Sequence, residues 1–153
     1  MVKVLRANIN DAERIAQCTR DAYSLEIKTY HDKSKVNEYP DTIDVRHDIT
    51  NLEYYKIMLQ DMIIGGFYIV RKSEEAAEIE DFCISPEFQN KGYGSFCLNE
   101  IERLHPEITT WEMVTPTYSL GNQYLYEKLG YKKDKIAMYD DIMSVYYKKV
   151  CCT

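Results

Sequence analysis

A strand that runs through two glycines into an amphipathic helix constrains this chain more than any other feature. Residues 79–84 are mostly apolar and are followed by Pro86, which has no N–H to donate to a sheet ladder. Gly92 and Gly94 come next, and apolar residues then recur at helical spacing as far as about His105. The sequence therefore predicts a buried strand, a tight turn and a helix in direct succession.

A glycine turn at the start of a helix favours a phosphate group as ligand. Glycine allows a tight turn and lets backbone N–H groups approach a ligand closely. The first amides of a helix have no intrahelical partner and lie at the positive end of its dipole, and Lys91 adds a positive charge here. The turn lacks the Gly-Lys-Ser/Thr of a P-loop, and Cys97 stands where the dinucleotide fingerprint has its third glycine. The alternative is a turn that only starts a helix.

Two stretches resemble motifs of a known family. The turn from Gln89 to Gly94 reads Gln-Asn-Lys-Gly-Tyr-Gly and resembles motif A of the GNAT acetyltransferases, Gln/Arg-x-x-Gly-x-Gly/Ala. Residues 122–131 resemble motif B, which ends in Tyr-Glu-Lys-Leu-Gly-Phe/Tyr. Ser119 stands where motif B usually has an asparagine, and Asn122 occupies a position usually held by a small residue, so either could replace the missing contact. The resemblance covers residues 50–150 well.

The alternation of strands and helices predicts an α+β fold with a mixed sheet. Strands are expected over residues 2–6, 53–59, 62–71, 79–84, 108–114, 131–138 and 142–149. Helices are expected from Ala12 to about Tyr23 or beyond, as a short piece within residues 23–48 that a loop follows, from the glycine turn to about His105, and over 120–129. This order is also that of the GNAT fold, which implies a central sheet of about seven strands flanked by about four helices.

Local signals add detail to these elements. Asn10 or Asp11 is expected to cap the first helix, and Gly130 to end the last one in a left-handed conformation. The second and third strands should form a hairpin that turns at residues 60–61. The pair of glycines at 65–66 suggests a bulge or a close backbone approach.

Length and composition are typical of a soluble single-domain protein. The chain is expected to form one domain over residues 1–153. No apolar run approaches the roughly 20 residues of a membrane helix, and no signal-peptide core is present, so a cytoplasmic protein without membrane contact is expected. A net charge of −6 argues against nucleic-acid binding and favours cationic partners. The five cysteines show no zinc spacing, so reduced thiols and no metal site are expected.

The resemblance implies acetyl-coenzyme A (acetyl-CoA) as the acetyl donor. In the family the turn amides hold the pyrophosphate, and unpaired amides of the fourth strand bind pantetheine and polarise the thioester carbonyl. The residues implied in cofactor binding are Phe82, Cys83, Ile84, Gln89, Asn90, Lys91, Gly92, Tyr93, Gly94, Ser95, Asn122 and Tyr126. Tyr126 matches the motif B tyrosine that protonates the leaving thiolate in many members, and its alternative role is a tyrosine of the core.

Two glutamates are candidates for the catalytic base. Strand alternation predicts that Glu78 and Glu80 share a face with Phe82 and Ile84, and Glu80 is ranked first because it is nearer the expected thioester. Glu78 is the alternative, and either glutamate could instead be a solvated charge or an ion-pair partner. Further candidates for the acceptor pocket are His31, His47, Tyr23, Tyr30, Tyr118 and Glu112.

The expected function is therefore acetyl transfer to a primary amine of a small molecule or a peptide, by direct attack on acetyl-CoA. The acidic residues near the site hint at a cationic amine. Cys83 lies in an apolar run with no histidine nearby in sequence, so we expect a packed thiol rather than a nucleophile. Two alternatives remain: transfer of a longer acyl group, and a non-catalytic module that binds acyl-CoA as a sensor. A homodimer is one of the expected assemblies, because dimers are frequent in the family.

Overall fold

The computed structural model describes residues 1–30 and 40–151 and places them around one seven-stranded sheet. In chain order the strands are β1 (Val2–Arg6), β2 (Glu53–Leu59), β3 (Met62–Arg71), β4 (Ala76–Ile84), β5 (Thr110–Pro116), β6 (Lys132–Tyr139) and β7 (Ile142–Val150). Across the sheet the order is β1-β2-β3-β4-β5-β7-β6. β4 and β5 run parallel, and the other neighbours run antiparallel. The predicted α+β mixed sheet is confirmed.

Within these residues four α-helices flank the sheet. They are α1 (Ala12–Tyr30), α2 (Thr42–Asn51), α3 (Tyr93–Leu104) and α4 (Leu120–Lys128). Asn8 and Asp11 form a capping box on a 3₁₀ turn that leads into α1. Asp41 and Asp44 form another at the start of α2, where the Asp44 amide donates to Asp41 Oδ1 at 2.8 Å. No helix among the described residues is long and apolar enough to cross a membrane.

The N-terminal third departs from the sequence-based expectation. α1 extends well past Tyr23 to Tyr30, and the second helix follows Pro40 and leads almost directly into β2. The expected short helix followed by a loop is therefore wrong in its order. The expected caps at Asn10 or Asp11 are also wrong, because the 3₁₀ turn comes first and Asn8 caps it. Elsewhere the elements lie where they were predicted, although β4 begins earlier than residue 79 and β5 later than residue 108.

Two clusters of buried apolar side chains, one on each face of the sheet, hold the helices. On one face α3 and α4 pack against the strands, and Trp111 and Leu98 are fully buried there. On the other face α1 and α2 enclose a smaller cluster that includes Ile15 and Val45. Each such side chain stabilises the fold by roughly 1.5–3 kcal/mol, so both faces are firmly packed.

A bulge in β4 changes which face its later residues occupy. The register against β3 shifts after Glu80, and Asp81 and Phe82 there stand opposite a single residue, with Asp81 at φ 53°. Phe82 and Ile84 consequently pack with the larger cluster, beside α3. The two glutamates at 78 and 80 lie on the opposite face. The prediction that all four share one face is therefore wrong, because simple alternation does not count the extra residue.

β4 and β5 pair only where they begin. Their ladder joins residues 76–78 of β4 to residues 110–112 of β5 and then stops. On the other side of β5, pairing with β7 continues as far as Pro116 opposite Ser144. A gap therefore opens between the later halves of β4 and β5, and backbone groups that face it have no strand partner.

The end of β4 approaches the backbone of β3 closely at a glycine. A Cβ on Gly65 would lie 2.1 Å from the carbonyl oxygen of Cys83 in β4, so this backbone approach excludes any side chain, as the glycine pair predicted.

We expect Gly65→Ala to lower the free energy of unfolding by about 3 kcal/mol, since overpacking against a backbone cannot relax easily. Chemical denaturation measures the change. Gly121→Ala is the control, because its Cβ would be 3.6 Å from its nearest neighbour and alanine favours a helix. Surface substitutions usually change the free energy of unfolding by no more than about 0.5 kcal/mol. A loss within that range in Gly65→Ala would therefore contradict the close approach of the two backbones.

Candidate functional site

Two cavities open into the gap between β4 and β5. The loop-side cavity, of about 570 Å³, is lined by the turn before α3, the end of β4 and the start of α4. The acidic cavity, of about 320 Å³, lies among β4, β5 and the turn between β6 and β7. Four residues line both cavities: Tyr23, Glu26, Phe82 and Asn122. The two spaces therefore meet in the middle of the gap.

Most residues predicted to bind the cofactor line the loop-side cavity. They are Phe82, Cys83, Ile84, Gln89, Asn90, Gly92, Gly94, Ser95 and Asn122. Lys91 is exposed beside them. Tyr93 packs against the core instead, and Tyr126 lines the acidic cavity. One continuous stretch of sequence thus forms most of one wall.

The turn before α3 has the backbone of an anion cradle. Asn90 and Gly92 are left-handed, with φ of 60° and 86°, and Gly92 caps the helix. A Cβ on Gly92 would meet nothing within 4 Å, so the space above it is open. The helical ladder begins with the Phe96 amide, which donates to the Gly92 carbonyl at 3.1 Å. Earlier amides of the helix therefore point outward at its positive end.

Gln89 fastens this turn to the end of β4. Its Nε2 donates to the carbonyl oxygen of Ile84 at 2.8 Å, so that carbonyl faces the gap. The next amide, that of Ser85, donates to Ile64 of β3 at 2.7 Å. Because successive strand residues alternate, the Ile84 amide also faces the gap, and so does the amide of Phe82 two residues earlier. Two of the three predicted β4 amides therefore face the gap.

Cys83 faces the other way. Alternation turns its amide toward β3, and its thiol lies 3.2 Å from the Thr19 hydroxyl of α1. Burial raises the pKa of the Cys83 thiol to about 12, with the Thr19 hydrogen bond opposing that shift. The thiol is therefore protonated at neutral pH and has little nucleophilic character.

The two glutamates of β4 line the acidic cavity in different settings. Glu80 accepts a hydrogen bond from the Tyr68 hydroxyl at 2.6 Å. Glu78 is buried and lies 3.0 Å from the ammonium group of Lys72. Burial raises the pKa of the Glu78 carboxyl, while Lys72 acts in the opposite direction. Glu78 stands at the last paired position of β4, opposite Glu112, and Glu80 lies beyond it at the open gap.

The rest of the acidic cavity is unusually rich in carboxylates and phenols. Its acidic and tyrosine side chains are Glu26, Glu78, Glu80, Asp81, Asp140, Tyr23, Tyr68, Tyr126 and Tyr139. No lysine, arginine or histidine lines it within residues 1–30 and 40–151. Burial, and then the charges of Glu80 and Glu78, raise the pKa of Tyr139 to about 12. Such a cavity attracts cations and repels anions.

Tyr126 reaches the acidic cavity from α4. Its side chain is only 4% exposed and packs against the rings of Tyr131 and Tyr147. No described residue forms a hydrogen bond to its hydroxyl, which is thus available to a ligand. Burial raises the pKa of Tyr126, and the nearby charge of Glu26 adds to that shift. The phenol therefore stays protonated throughout the neutral range.

Ser119 and Asn122, the two candidates for the contact that the motif B asparagine usually makes, have different surroundings at the start of α4. The Ser119 hydroxyl donates to Glu26 of α1 and is buried. Asn122 donates through Nδ2 to Thr115 at 3.2 Å and lines both cavities. The Gly121 amide donates to the Tyr30 hydroxyl at 3.2 Å, so α1 contacts the beginning of α4 twice. Asn122 is thus the better placed of the two to meet a ligand.

The remaining predicted residues have different positions. Tyr23 lines both cavities and Tyr30 lines the loop-side cavity. The ring of Tyr118 packs against that of Tyr30 in a tilted arrangement, with 5.8 Å between the ring centroids. Glu112 and His47 line neither cavity, and the His47 side chain is 75% exposed on α2. His31 lies outside the described residues.

Sequence reasoning missed Glu26, Tyr68, Tyr139 and Asp140. Tyr68 could have been found by pairing the third strand with the fourth, because it stands directly opposite Glu80 in that ladder. Tyr139 and Asp140 could not, since the pairing of β7 with β5 brings their turn to the gap and no local pattern announces that pairing. Glu26 was not identified because it lies beyond Tyr23, where the end of the first helix was left open, and only the full length of α1 brings it to Ser119 at the start of α4.

A family model for the acetyltransferase (GNAT) domain matches residues 51–133, which is just over half of the chain. The match includes the turn before α3, both β4 glutamates and the whole of α4. A search of curated protein sequences found no match.

Solved structures share the whole fold at low sequence identity. An acetyltransferase of the GNAT family from Streptococcus agalactiae has a TM-score of 0.87 at 16% identity, covering 99% of this chain and 96% of that one. The PaiA N-acetyltransferase from Thermoplasma acidophilum, solved in complex with coenzyme A, has a TM-score of 0.81 at 16% identity, covering 98% and 99%. An acetyltransferase from Salmonella typhimurium that modifies the N-terminal serine of ribosomal protein L7/L12 has a TM-score of 0.79 at 12% identity, covering 99% and 95%. At these identities the likeness extends to the fold alone.

Proposed function

This chain belongs to the acetyltransferase (GNAT) family, and from that premise we propose that it transfers the acetyl group of acetyl-CoA to a primary amine, with Glu80 as base and Tyr126 as acid. The observation that carries the proposal is the meeting of two cavities in one gap. One has an anion cradle at a helix N-terminus, and the other has carboxylates and a buried phenol with no hydrogen-bond partner among residues 1–30 and 40–151.

The loop-side cavity fits acetyl-CoA, whose thioester supplies the activated acetyl group. The outward amides at the start of α3, with the open space above Gly92, suit a pyrophosphate. The gap-facing amides of Phe82 and Ile84 suit the amide groups of pantetheine and, further along, the thioester oxygen. Asn122 lines both cavities, so it would contact the pantetheine of acetyl-CoA where the two cavities join.

Glu80 is the proposed base because it combines position with an unneutralised charge. It lies beyond the last paired residue of β4, and its described partner is the neutral hydroxyl of Tyr68. Glu78 is held by Lys72 at 3.0 Å, so its charge is already compensated. Glu80 would accept the proton that an ammonium group must lose before its nitrogen can attack.

Tyr126 is the proposed acid because its hydroxyl is protonated, buried and free of described partners. It would donate a hydrogen bond, and then its proton, to the departing thiolate sulfur. The acidic lining of its cavity supports a cationic amine as acceptor.

The turn before α3 gives the first test. Gly92→Asp should weaken binding of acetyl-CoA at least a hundredfold, because a carboxylate would meet the pyrophosphate. Gly92→Asn is the matched control, since asparagine has nearly the same shape, tolerates the left-handed backbone and carries no charge. Isothermal calorimetry measures both affinities. Equal affinities of wild type and Gly92→Asp would refute pyrophosphate binding at this turn.

The choice of base gives the second test. Glu80→Gln should lower turnover by roughly a hundredfold at neutral pH, the usual contribution of a general base, while acetyl-CoA affinity stays within about twofold. Release of free coenzyme A over a panel of amines reports turnover, and a protein that only binds acyl-CoA would release none. Glu78→Gln is the matched variant. If Glu78→Gln loses activity and Glu80→Gln retains it, Glu78 is the base.

Protonation of the leaving group gives the third test. Tyr126→Phe removes one oxygen and should lower turnover by about a hundredfold with acetyl-CoA. A thioester with a more acidic thiol needs less help, so it should restore part of the lost rate in the variant. If that thioester accelerates wild type and variant equally, Tyr126 is not the proton donor.

A further inference from the structure

We propose that the acceptor is a linear diamine or polyamine and that Asp140 recognises its second ammonium group, the one that is not acetylated. This inference rests on the proposed acetyltransferase function and adds to it the class of acceptor and a residue that selects it.

The acidic cavity offers more carboxylates than the reaction of one amine uses. Five acidic side chains line it, namely Glu26, Glu78, Glu80, Asp81 and Asp140, and no basic residue lines it among residues 1–30 and 40–151. Lys72 compensates the charge of Glu78, whereas Glu80 and Asp140 have no cationic partner among the described residues. A single amine at the reacting position needs one base and one compensating charge. The excess negative charge therefore fits a ligand with a further positive charge, and it disfavours amines that carry a carboxylate or phosphate.

Asp140 differs from the two β4 glutamates in its contacts with the described residues. Glu78 has Lys72 as partner and Glu80 has Tyr68. Asp140 forms no hydrogen bond or ion pair with any residue of the described chain, and it is exposed at the mouth of the cavity. An ammonium group could reach this carboxylate while it keeps part of its water shell.

The position of Asp140 follows from the hairpin of β6 and β7. Tyr139 and Ile142 are paired, so residues 140 and 141 form a two-residue turn, with φ of 46° and 65°. Because β7 runs antiparallel to β5, its first residues lie beside the end of β5, at the open end of the gap. Asp140 lines the cavity, whereas Asp141 of the same turn does not.

Tyr139 lines the same cavity as Glu80 and Asp140 and directly precedes Asp140 in the chain. Burial raises the pKa of its hydroxyl, and the charges of Glu80, Glu78, Asp140 and Asp81 add to that shift. An aliphatic chain that lies along this ring would present one nitrogen toward Glu80 and another toward Asp140. At the inner end the buried Tyr126 hydroxyl has no described partner and marks where the reacting group belongs. Aromatic faces beside carboxylates also favour ammonium groups.

Three four-carbon amines test the proposal: putrescine with two ammonium groups, butylamine with one, and γ-aminobutyrate with one ammonium group and one carboxylate. The kcat/KM of each is measured by coenzyme A release for wild type, Asp140→Asn and Asp141→Asn. Asparagine tolerates the left-handed turn, so both variants should fold. Wild type should prefer putrescine to butylamine at least tenfold, mainly through KM. Asp140→Asn should reduce that ratio about tenfold and improve γ-aminobutyrate relative to butylamine. Asp141→Asn should change neither ratio.

The remaining outcomes test the acceptor class, the role of Asp140 and the proposed function separately. Equal use of putrescine and butylamine by wild type overturns the acceptor class, and equal ratios in Asp140→Asn and Asp141→Asn overturn the role of Asp140. If no amine releases coenzyme A, the proposed function fails, and calorimetry of putrescine without acetyl-CoA then decides the inference separately. Binding that is weaker in Asp140→Asn than in Asp141→Asn supports the second-ammonium site, and equal binding in both variants overturns it.

Discussion

The site depends on the early end of pairing between β4 and β5. Two parallel strands that stayed paired would satisfy each other's backbone groups and leave no space between them. Here the ladder stops after residues 76–78, and the gap contains both room and unpaired hydrogen-bonding groups. Unpaired backbone groups in a protein interior are costly unless water or a ligand satisfies them. The Gln89 side chain donates a hydrogen bond to one of these backbone groups, the Ile84 carbonyl. The neighbouring amides are then the groups that a ligand can bind.

The acidic cavity combines two opposing requirements. Carboxylates attract an ammonium group, but they also favour its protonated form, in which the nitrogen cannot attack. A base close to the reacting nitrogen resolves this conflict, because it removes the proton locally while the other carboxylates hold the ligand. In the proposed mechanism these roles are separated in space: Glu80, the proposed base, lies inside the gap on a strand, and Asp140, the proposed site of the second ammonium group, lies at the exposed tip of a hairpin. Rigid support suits a group that must transfer a proton over hydrogen-bond distance, whereas attraction of a distant charge tolerates a turn.

The sequence predicted the parts of the site that are contiguous in the chain. The turn from Gln89 to Ser95 could be recognised because its glycines, the preceding proline and the following helix lie within one short segment. Its position against β4 and α4 followed from the family order of elements. The face of Phe82 could not be predicted, because one extra residue at Asp81 reverses the alternation and no residue type announces it. Asp140 was out of reach for a different reason, since only the long-range pairing of β5 and β7 brings it to the gap.

The left-handed backbone positions show how local geometry serves the site. Asp81, Asn90 and Asp140 all have positive φ, and all line one of the two cavities. Each is Asp or Asn, the residues that adopt this conformation most readily after glycine. At Asp81 the conformation belongs to the bulge, at Asn90 to the cradle before α3, and at Asp140 to the hairpin tip. Such backbone turns aim groups where regular strands and helices would not, and they persist because the packed elements on either side hold them. The regular part of the fold thus supplies the frame, and three short irregularities aim backbone and carboxylate groups into the gap.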